Sequence, residues 1–227
     1  MPIIKSTNRH RTTYQSLLVS ALLVVCNLSV PQVQADVSAN VGYASEYYFR
    51  GILQKESSAS AGLDYSAGDF SLGTWAADVG DGLEVDLYGS YGFTFSEDFS
   101  ASVGFTGYYY TGEFDDTYEE INLGLAYKFI AIDYAVGGWD GGDATSDDYD
   151  YLAITLSHEG FYGKYATFGD EFDGDYFEFG YGTTVGGFDT SIALIISSDE
   201  LSDQLDSNGN PTESEALVFS LAKSFDL

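Results

Sequence analysis

Hydrophobic residues alternate with polar or small residues along most of the chain after position 35. The runs 83–87 and 121–125 show this period of two most clearly, and a period of two is typical of β-strands. No stretch after position 35 has the period of an amphipathic helix. Glycine is abundant, with 26 residues, whereas Pro211 is the last of only three prolines. The pattern therefore predicts an all-β protein whose strands are joined by glycine-containing turns.

The alternation predicts twelve strands. Most of them are close to the length of about 9–11 residues that a tilted strand needs to cross a bilayer. The segments are 37–49, 57–66, 70–78, 83–95, 99–111, 117–128, 130–138, 149–158, 161–169, 175–184, 188–197 and 214–227.

The connections between these segments alternate between short and long. Those after even-numbered strands are short, at 67–69, 96–98, near 129, at 159–160 and at 185–187. Those after odd-numbered strands are mostly longer and acidic, at 50–56, 112–116, 139–148, 170–174 and 198–213. Short turns on one side and long loops on the other are typical of outer-membrane barrels. We therefore predict a transmembrane antiparallel up-and-down β-barrel with both termini on the periplasmic side.

The first 35 residues have the composition of a secretory signal peptide. Residues 1–16 carry three basic residues and no acid, and residues 17–30 form an apolar run of fourteen. A helix that spans a bilayer needs about 20 residues, so this run is too short for an anchor. Val33 and Ala35 provide a cleavage site. We predict cleavage after Ala35, which leaves a single barrel domain at 36–227 and an outer-membrane location.

The last segment has the features of a terminal barrel strand. Leu217, Phe219, Leu221, Phe225 and Leu227 fall on one face. Such a strand resembles the signal that the barrel-assembly machinery recognises, so we expect that machinery as a partner during biogenesis. Outer-membrane lipid is the partner expected for the apolar face of the whole barrel.

The polar face of the strands is predicted to line the lumen, because charged side chains near the bilayer midplane are costly. In the first strand this assigns Val37, Val41, Tyr43 and Tyr47 to the lipid side. The residues predicted to line the lumen are Glu46, Arg50, Asp64, Glu84, Asp86, Glu120, Asn122, Asp133, Lys164, Glu178 and Asp189.

The net charge of the chain indicates what an acidic lumen would attract. Five basic and 36 acidic residues follow position 35, a net charge of −31. This excludes nucleic acid as a partner, because phosphates would be repelled. An acidic lumen would attract cations and repel anions. Its acids could instead pair with Arg50, Lys128 and Lys164 and plug the barrel, but so few basic residues cannot pair them all.

Other candidate motifs carry little chemistry. His158 is the only histidine after the signal and has no convincing Ser or acid partner for nucleophilic catalysis. The stretch 206–210 resembles the start of a calcium loop, but it lacks the motif's glycine at the sixth position and its acid at the twelfth, which are Pro211 and Leu217 here. The loop 140–148 contains four aspartates that could bind divalent cations weakly. We therefore predict no enzymatic activity, no cofactor and no metal site.

The chain from residue 38 onward resembles the TorF-type porin family, most specifically in the block Tyr47-Tyr48-Phe49-Arg50-Gly51. The Asp226-Leu227 ending departs from the usual terminus of that family. The resemblance implies an outer-membrane barrel of provisional porin function, and it brings no established substrate or site residues. It is carried by the segments 38–42, 47–51, 62–66, 73–76, 84–88, 124–127 and 218–225.

These observations predict a porin that lets small solutes diffuse passively, with a preference for cations. Twelve strands would enclose a narrow or gated channel rather than a wide one. Two alternatives remain open. One is a barrel with a closed lumen whose acidic loops bind a surface partner or divalent cations, and the other is a secreted soluble β-sandwich that acts as a binding module.

Overall fold

A computed structural model describes residues 35–141 and 146–227. Residues 1–34 of the predicted signal peptide lie outside the described residues, as does the centre of the acidic loop 140–148. The described residues form twelve strands, as the sequence predicted. They are β1 Ala35–Phe49, β2 Ile52–Ala67, β3 Phe70–Gly80, β4 Gly82–Ser96, β5 Phe99–Tyr110, β6 Tyr118–Tyr127, β7 Ile130–Trp139, β8 Asp147–His158, β9 Phe161–Asp170, β10 Asp175–Val185, β11 Phe188–Ser197 and β12 Ser214–Asp226.

The strands form one closed antiparallel barrel. Each strand pairs with the next in sequence, and β12 pairs with β1 from Ser38↔Asp226 to Ala44↔Ser220. A closed ring leaves no second sheet, so the β-sandwich alternative is wrong. A single 3-10 turn, Asp199–Leu201, lies in the connection before β12. Within the described ranges, no helix has the length and apolar character needed to cross a membrane.

The outer surface of the barrel is an apolar belt. Large side chains such as Leu87, Phe105, Ile121 and Leu123 are 46–50% exposed. Contiguous apolar surface of this extent is rare on soluble monomers, and it is the surface that a transmembrane barrel presents to lipid. The fold is therefore a transmembrane β-barrel with its polar side chains turned inward.

Two-residue turns follow β2, β4, β6, β8 and β10, and they define the short-turn end of the barrel. The other end, here called the outer end, carries the longer connections at 111–117, 140–146, 171–174 and 198–213. The predicted loop 50–56 is wrong, because β2 already begins at Ile52. Arg50 and Gly51 have φ values of 49° and 85°, and two residues with positive φ close a tight hairpin. The polar residues 54–56 continue a strand instead of forming a loop.

The tip of the β1–β2 hairpin stands apart from its neighbours. Pairing of β1 with β12 ends at Ala44, and pairing of β2 with β3 ends at Ser60. Between Ala44 and Ser60, β1 and β2 pair only with each other. Ser57 has a φ of 68°, and the register shifts between Tyr47 and Tyr48. We call residues 45–57 the hairpin tip.

This irregularity makes the lipid-facing assignment of Tyr47 wrong. Tyr47 is only 4% exposed, whereas Val37, Val41 and Tyr43 are on the outer surface as predicted. Strict alternation holds only while a strand keeps its regular ladder. Because β1 leaves β12 after Ala44 and bends, the tip turns its side chains into the barrel.

Candidate functional site in the barrel interior

A buried ion pair crosses the interior. Arg50, in the hairpin tip, donates from Nη1 and Nη2 to Oε2 and Oε1 of Glu120 at 2.9 and 2.7 Å. The side chains of Arg50 and Glu120 are 10% and 0% exposed. Arg50 precedes β2 and Glu120 lies on β6, and these strands are not neighbours in the barrel. The pair therefore joins the hairpin tip to a non-adjacent strand of the wall through the interior.

The guanidinium of Arg50 also lies between two aromatic rings. Its Cζ is 4.2 Å from the ring centroid of Tyr151 and 4.9 Å from that of Phe49. A planar cation is well suited to this arrangement, because it binds a carboxylate in its plane and stacks on aromatic faces. Phe49 belongs to the hairpin tip, whereas Tyr151 belongs to β8 of the wall.

Three neutral donors hold the Glu120 carboxylate in addition to Arg50. The hydroxyls of Tyr108 and Tyr149 donate at 2.9 and 2.8 Å, and Nδ2 of Asn122 donates at 2.6 Å. These donors come from β5, β8 and β6, so the wall itself fixes the carboxylate. A buried carboxylate with this many donors is fully satisfied.

Glu84 and Asp86 lie next to each other on the inner face of β4. Glu84 is 1% exposed and accepts hydrogen bonds from the hydroxyls of Tyr47 and Tyr110 at 2.5 and 3.1 Å. Asp86 is 9% exposed, and its Oδ1 has no hydrogen-bond partner among the described residues. Neither carboxyl group forms a salt bridge within the described ranges, so acidic side chains outnumber basic side chains at this level of the barrel.

The hairpin tip is also packed against β10 and β11. Oγ of Ser197, on β11, donates to the carbonyl oxygen of Gly51 at 2.5 Å. A Cβ on Gly51 would lie 2.7 Å from the ring of Tyr176 on β10. The hydroxyl of Tyr176 in turn bonds to that of Tyr151 at 2.8 Å. The tip therefore folds across the outer half of the interior and fills it together with buried aromatic side chains.

A second polar layer lies closer to the short-turn end. Asp64 accepts from Nδ2 of Asn40 at 3.0 Å and from the hydroxyl of Tyr88 at 2.5 Å. Lys164 and Glu178 form a salt bridge of 3.2 Å between adjacent strands, with side chains 8% and 15% exposed. The structure thus brings most of the sequence-predicted lumen residues into two inward-facing layers.

Three of the predicted residues stand apart. Asp133 is partly buried on β7, on the same face as buried Ala135. Glu46 is partly buried in the hairpin tip. Asp189 lies near the short-turn end and accepts from the hydroxyl of Thr184 at 2.6 Å. None of them has a hydrogen bond or salt bridge to Arg50, Glu84 or Glu120.

Tyrosines are the interior residues that the sequence analysis missed, because its lumen candidates were charged residues and one asparagine. Tyr108, Tyr149 and Tyr151 supply hydroxyls or a ring to the Arg50–Glu120 site. Two of them could have been found from the alternation of inward and outward positions along a strand. Leu152 and Ile154 of β8 face outward, so positions 149 and 151 on the same strand face inward.

The motifs to which the sequence analysis assigned no chemistry take no part in the interior site. The side chain of His158 is 84% exposed beside Glu159. Asp206 accepts the backbone N–H groups of Asn210 and Asn208, and these hydrogen bonds lower the pKa of its carboxyl to about 2. In the ranges 35–141 and 146–227, no group of three or more His, Cys, Asp and Glu side chains is arranged to hold a metal ion.

Among the solved structures compared with this chain, one has a similar fold. A chain from the work "Unveiling the Mechanism Behind the in-meso Crystallization of Membrane Proteins" has a TM-score of 0.52 and 10% identity, over 85% of this chain and 84% of that one. Acinetobacter baumannii OccAB3 has a TM-score of 0.39 and 16% identity, over 82% of this chain and 60% of its own. Pseudomonas aeruginosa OccD3 (OpdP) has a TM-score of 0.40 and 12% identity, over 85% and 60%. The chain thus spans about 60% of the length of either Occ protein.

No curated protein matches the chain. A family profile described as "Bacterial protein of unknown function (Gcw_chp)" matches residues 29–195. This match covers more than half of the sequence, and it does not carry the TorF name that the sequence resemblance suggested. The chain belongs to the Gcw_chp family of bacterial proteins of unknown function.

Proposed function

We propose that this chain is a narrow outer-membrane channel through which small cations and neutral solutes diffuse passively. The observation that carries the proposal is the excess of carboxylates inside a transmembrane barrel. Glu84 and Asp86 face the interior, and no salt bridge within the described ranges compensates them. No catalytic step and no cofactor enter this function.

The acidic interior accounts for the proposed cation preference. Carboxylates that are ionised in a water-filled passage raise the local concentration of cations and repel anions. Arg50 and Lys164 offset only Glu120 and Glu178 directly. All eleven residues named from the sequence are therefore proposed to line the passage, with Glu84 and Asp86 contributing most to selectivity.

The described conformation is constricted. The hairpin tip and the aromatic side chains around it fill the outer half of the interior, so continuous passage requires the tip to move. A small, gated conductance is thus expected rather than the large conductance of a wide porin.

Location and processing belong to the same proposal. An exported barrel with its apolar belt in lipid would be inserted into the outer membrane by the barrel-assembly machinery after cleavage behind Ala35. Membrane fractionation, with mass spectrometry of the mature N-terminus, tests both points. A mature chain that begins at Asp36 in the outer-membrane fraction is the expected result.

Single-channel recording tests the channel itself. The mature protein is refolded into a planar bilayer under a potassium chloride gradient, and the reversal potential reports ion selectivity. We expect discrete small steps with cation preference, which the double variant Glu84→Gln/Asp86→Asn weakens. Asp98→Asn is the matched control, because Asp98 lies in an exposed turn at the short-turn end. Insertion without any conductance would contradict the proposal.

The filled interior favours a second candidate. If the barrel never opens, its acidic outer loops are the functional surface, and they would bind divalent cations or a surface partner. The loop 140–148 and the connection 198–213 carry most of this charge. Calcium binding by the refolded protein, with no conductance in the same preparation, would favour this candidate over the channel.

A further inference from the structure

The chain's own Arg50 occupies a complete cation-binding pocket. We propose that this pocket is a recognition site for solutes that carry a guanidinium group, and that Arg50 fills it in the constricted state. A solute guanidinium takes the place of Arg50 on Glu120 when the hairpin tip moves outward. This inference rests on the proposed channel function and names the class of solute that the channel recognises.

The wall provides most of the pocket without Arg50. Tyr108, Tyr149 and Asn122 position the Glu120 carboxylate through three hydrogen bonds. The ring of Tyr151 provides one stacking face. Because these groups lie on regular strands, they stay in place when the tip moves, and the pocket remains preorganised for another cation.

The geometry selects a planar, forked cation. Both carboxylate oxygens of Glu120 accept, each from a different nitrogen of the same guanidinium. Bidentate binding in the plane, with an aromatic ring over the face, suits guanidinium and does not suit a compact ammonium. Methylguanidinium should therefore bind better than methylammonium.

The hairpin tip can leave without opening the barrel. Beyond Ala44, β1 has no ladder partner in β12. Before Ser60, β2 has no ladder partner in β3. Besides its packing, five polar contacts hold the tip. They join Arg50 to Glu120, Gly51 to Ser197, Tyr47 to Glu84, Ser45 to Phe219 and Lys55 to Asp78. Displacing the tip breaks these side-chain contacts and leaves the closed ring intact.

The test is chemical rescue of Arg50→Ala. This variant keeps the wall of the pocket and removes its occupant, and methylguanidinium is the probe. At about ten times its dissociation constant, a ligand of the folded state raises the ratio of folded to unfolded protein about tenfold. For a chain of this size, that corresponds to a rise of about 3–6 °C in the midpoint of thermal unfolding. We expect this rise at millimolar methylguanidinium and a much smaller one with methylammonium.

The control variant is Arg50→Ala/Glu120→Gln, which removes the carboxylate that binds the probe and should show no rise. If both variants respond equally, or if methylammonium is as effective as methylguanidinium, the proposed site is wrong. If Arg50→Ala does not refold, Ser197→Ala removes one contact that holds the tip and keeps Arg50 and Glu120. Methylguanidinium should then block the current of Ser197→Ala at lower concentrations than that of the unchanged protein, and equal block would overturn the proposal.

The two readouts separate the site from the channel. A thermal shift without conductance in any variant keeps the guanidinium site and rejects the passage. Conductance in the unchanged protein without a thermal shift in Arg50→Ala keeps the passage and rejects the site.

Discussion

The Arg50–Glu120 pair allows a quantitative prediction about stability. The change Arg50→Gln leaves Glu120, whose side chain is fully buried, without its cation. Removing one partner of a buried ion pair costs about 3–5 kcal/mol, because the remaining charge is uncompensated. Glu120 keeps three neutral donors, so we expect the lower end of this range, about 3 kcal/mol.

The double variant Arg50→Gln/Glu120→Gln isolates the interaction. With both charges of the pair removed, neither position 50 nor position 120 carries an uncompensated buried charge. The loss of stability should therefore be smaller than the sum of the single losses. Residues in direct contact show coupling of about 0.5–3 kcal/mol, and a bidentate buried pair should lie near the top of that range. Urea unfolding of the barrel in phospholipid vesicles, followed by the fluorescence of Trp75 and Trp139, measures all three variants.

Lys128→Gln is the matched control. Lys128 and Asp98 approach to 3.8 Å, but their side chains are 48% and 59% exposed. Exposed pairs contribute about 0–1 kcal/mol, so this change should have little effect. If Arg50→Gln is as stable as Lys128→Gln, or if the losses in the double variant simply add, the reasoning about the buried pair is refuted.

Three further predictions concern the hairpin tip, the last loop and the lipid face. Gly51→Ala should lower stability in the same urea assay by about 1–3 kcal/mol, because a Cβ would meet an aromatic ring at 2.7 Å with φ at 85°. The Asp206 carboxyl should stay ionised down to about pH 2 in an NMR titration, since amides of Asn210 and Asn208 bond to it. Its contribution to loop order is therefore present at higher pH and lost as pH falls through about 2. Leu123→Arg, on the apolar belt, should cost about 2–4 kcal/mol if it lies near the bilayer midplane.

The strands were predictable because a lipid-facing belt imposes a period of two on every strand. All twelve predicted segments overlap an observed strand, and the largest difference is the start of β2 at Ile52. That difference has a local cause. The polar residues 54–56 look like a loop, but a tight turn with positive φ at Arg50 lets the strand continue.

The contacts within the barrel were not predictable to the same degree. Arg50 and Glu120 are 70 residues apart, and Gly51 and Ser197 are 146 apart. Which inward side chains meet depends on how far the ring closes and on how the hairpin tip bends. A period of two assigns a face to each residue but not a partner, so the sequence identified acidic lumen candidates and missed the tyrosines that bind them.

The seam between β1 and β12 has a consequence for the kinetics of folding. Eleven of the twelve ladders join strands that are consecutive in sequence, and most are closed by short connections. Only the seam joins the two ends of the chain, from Ser38↔Asp226 to Ala44↔Ser220. Non-local pairing forms slowly because the loop-closure entropy is lost before the contacts form. A curled sheet with two free edges should therefore form first, and zipping of the seam should limit the rate at which the barrel is completed.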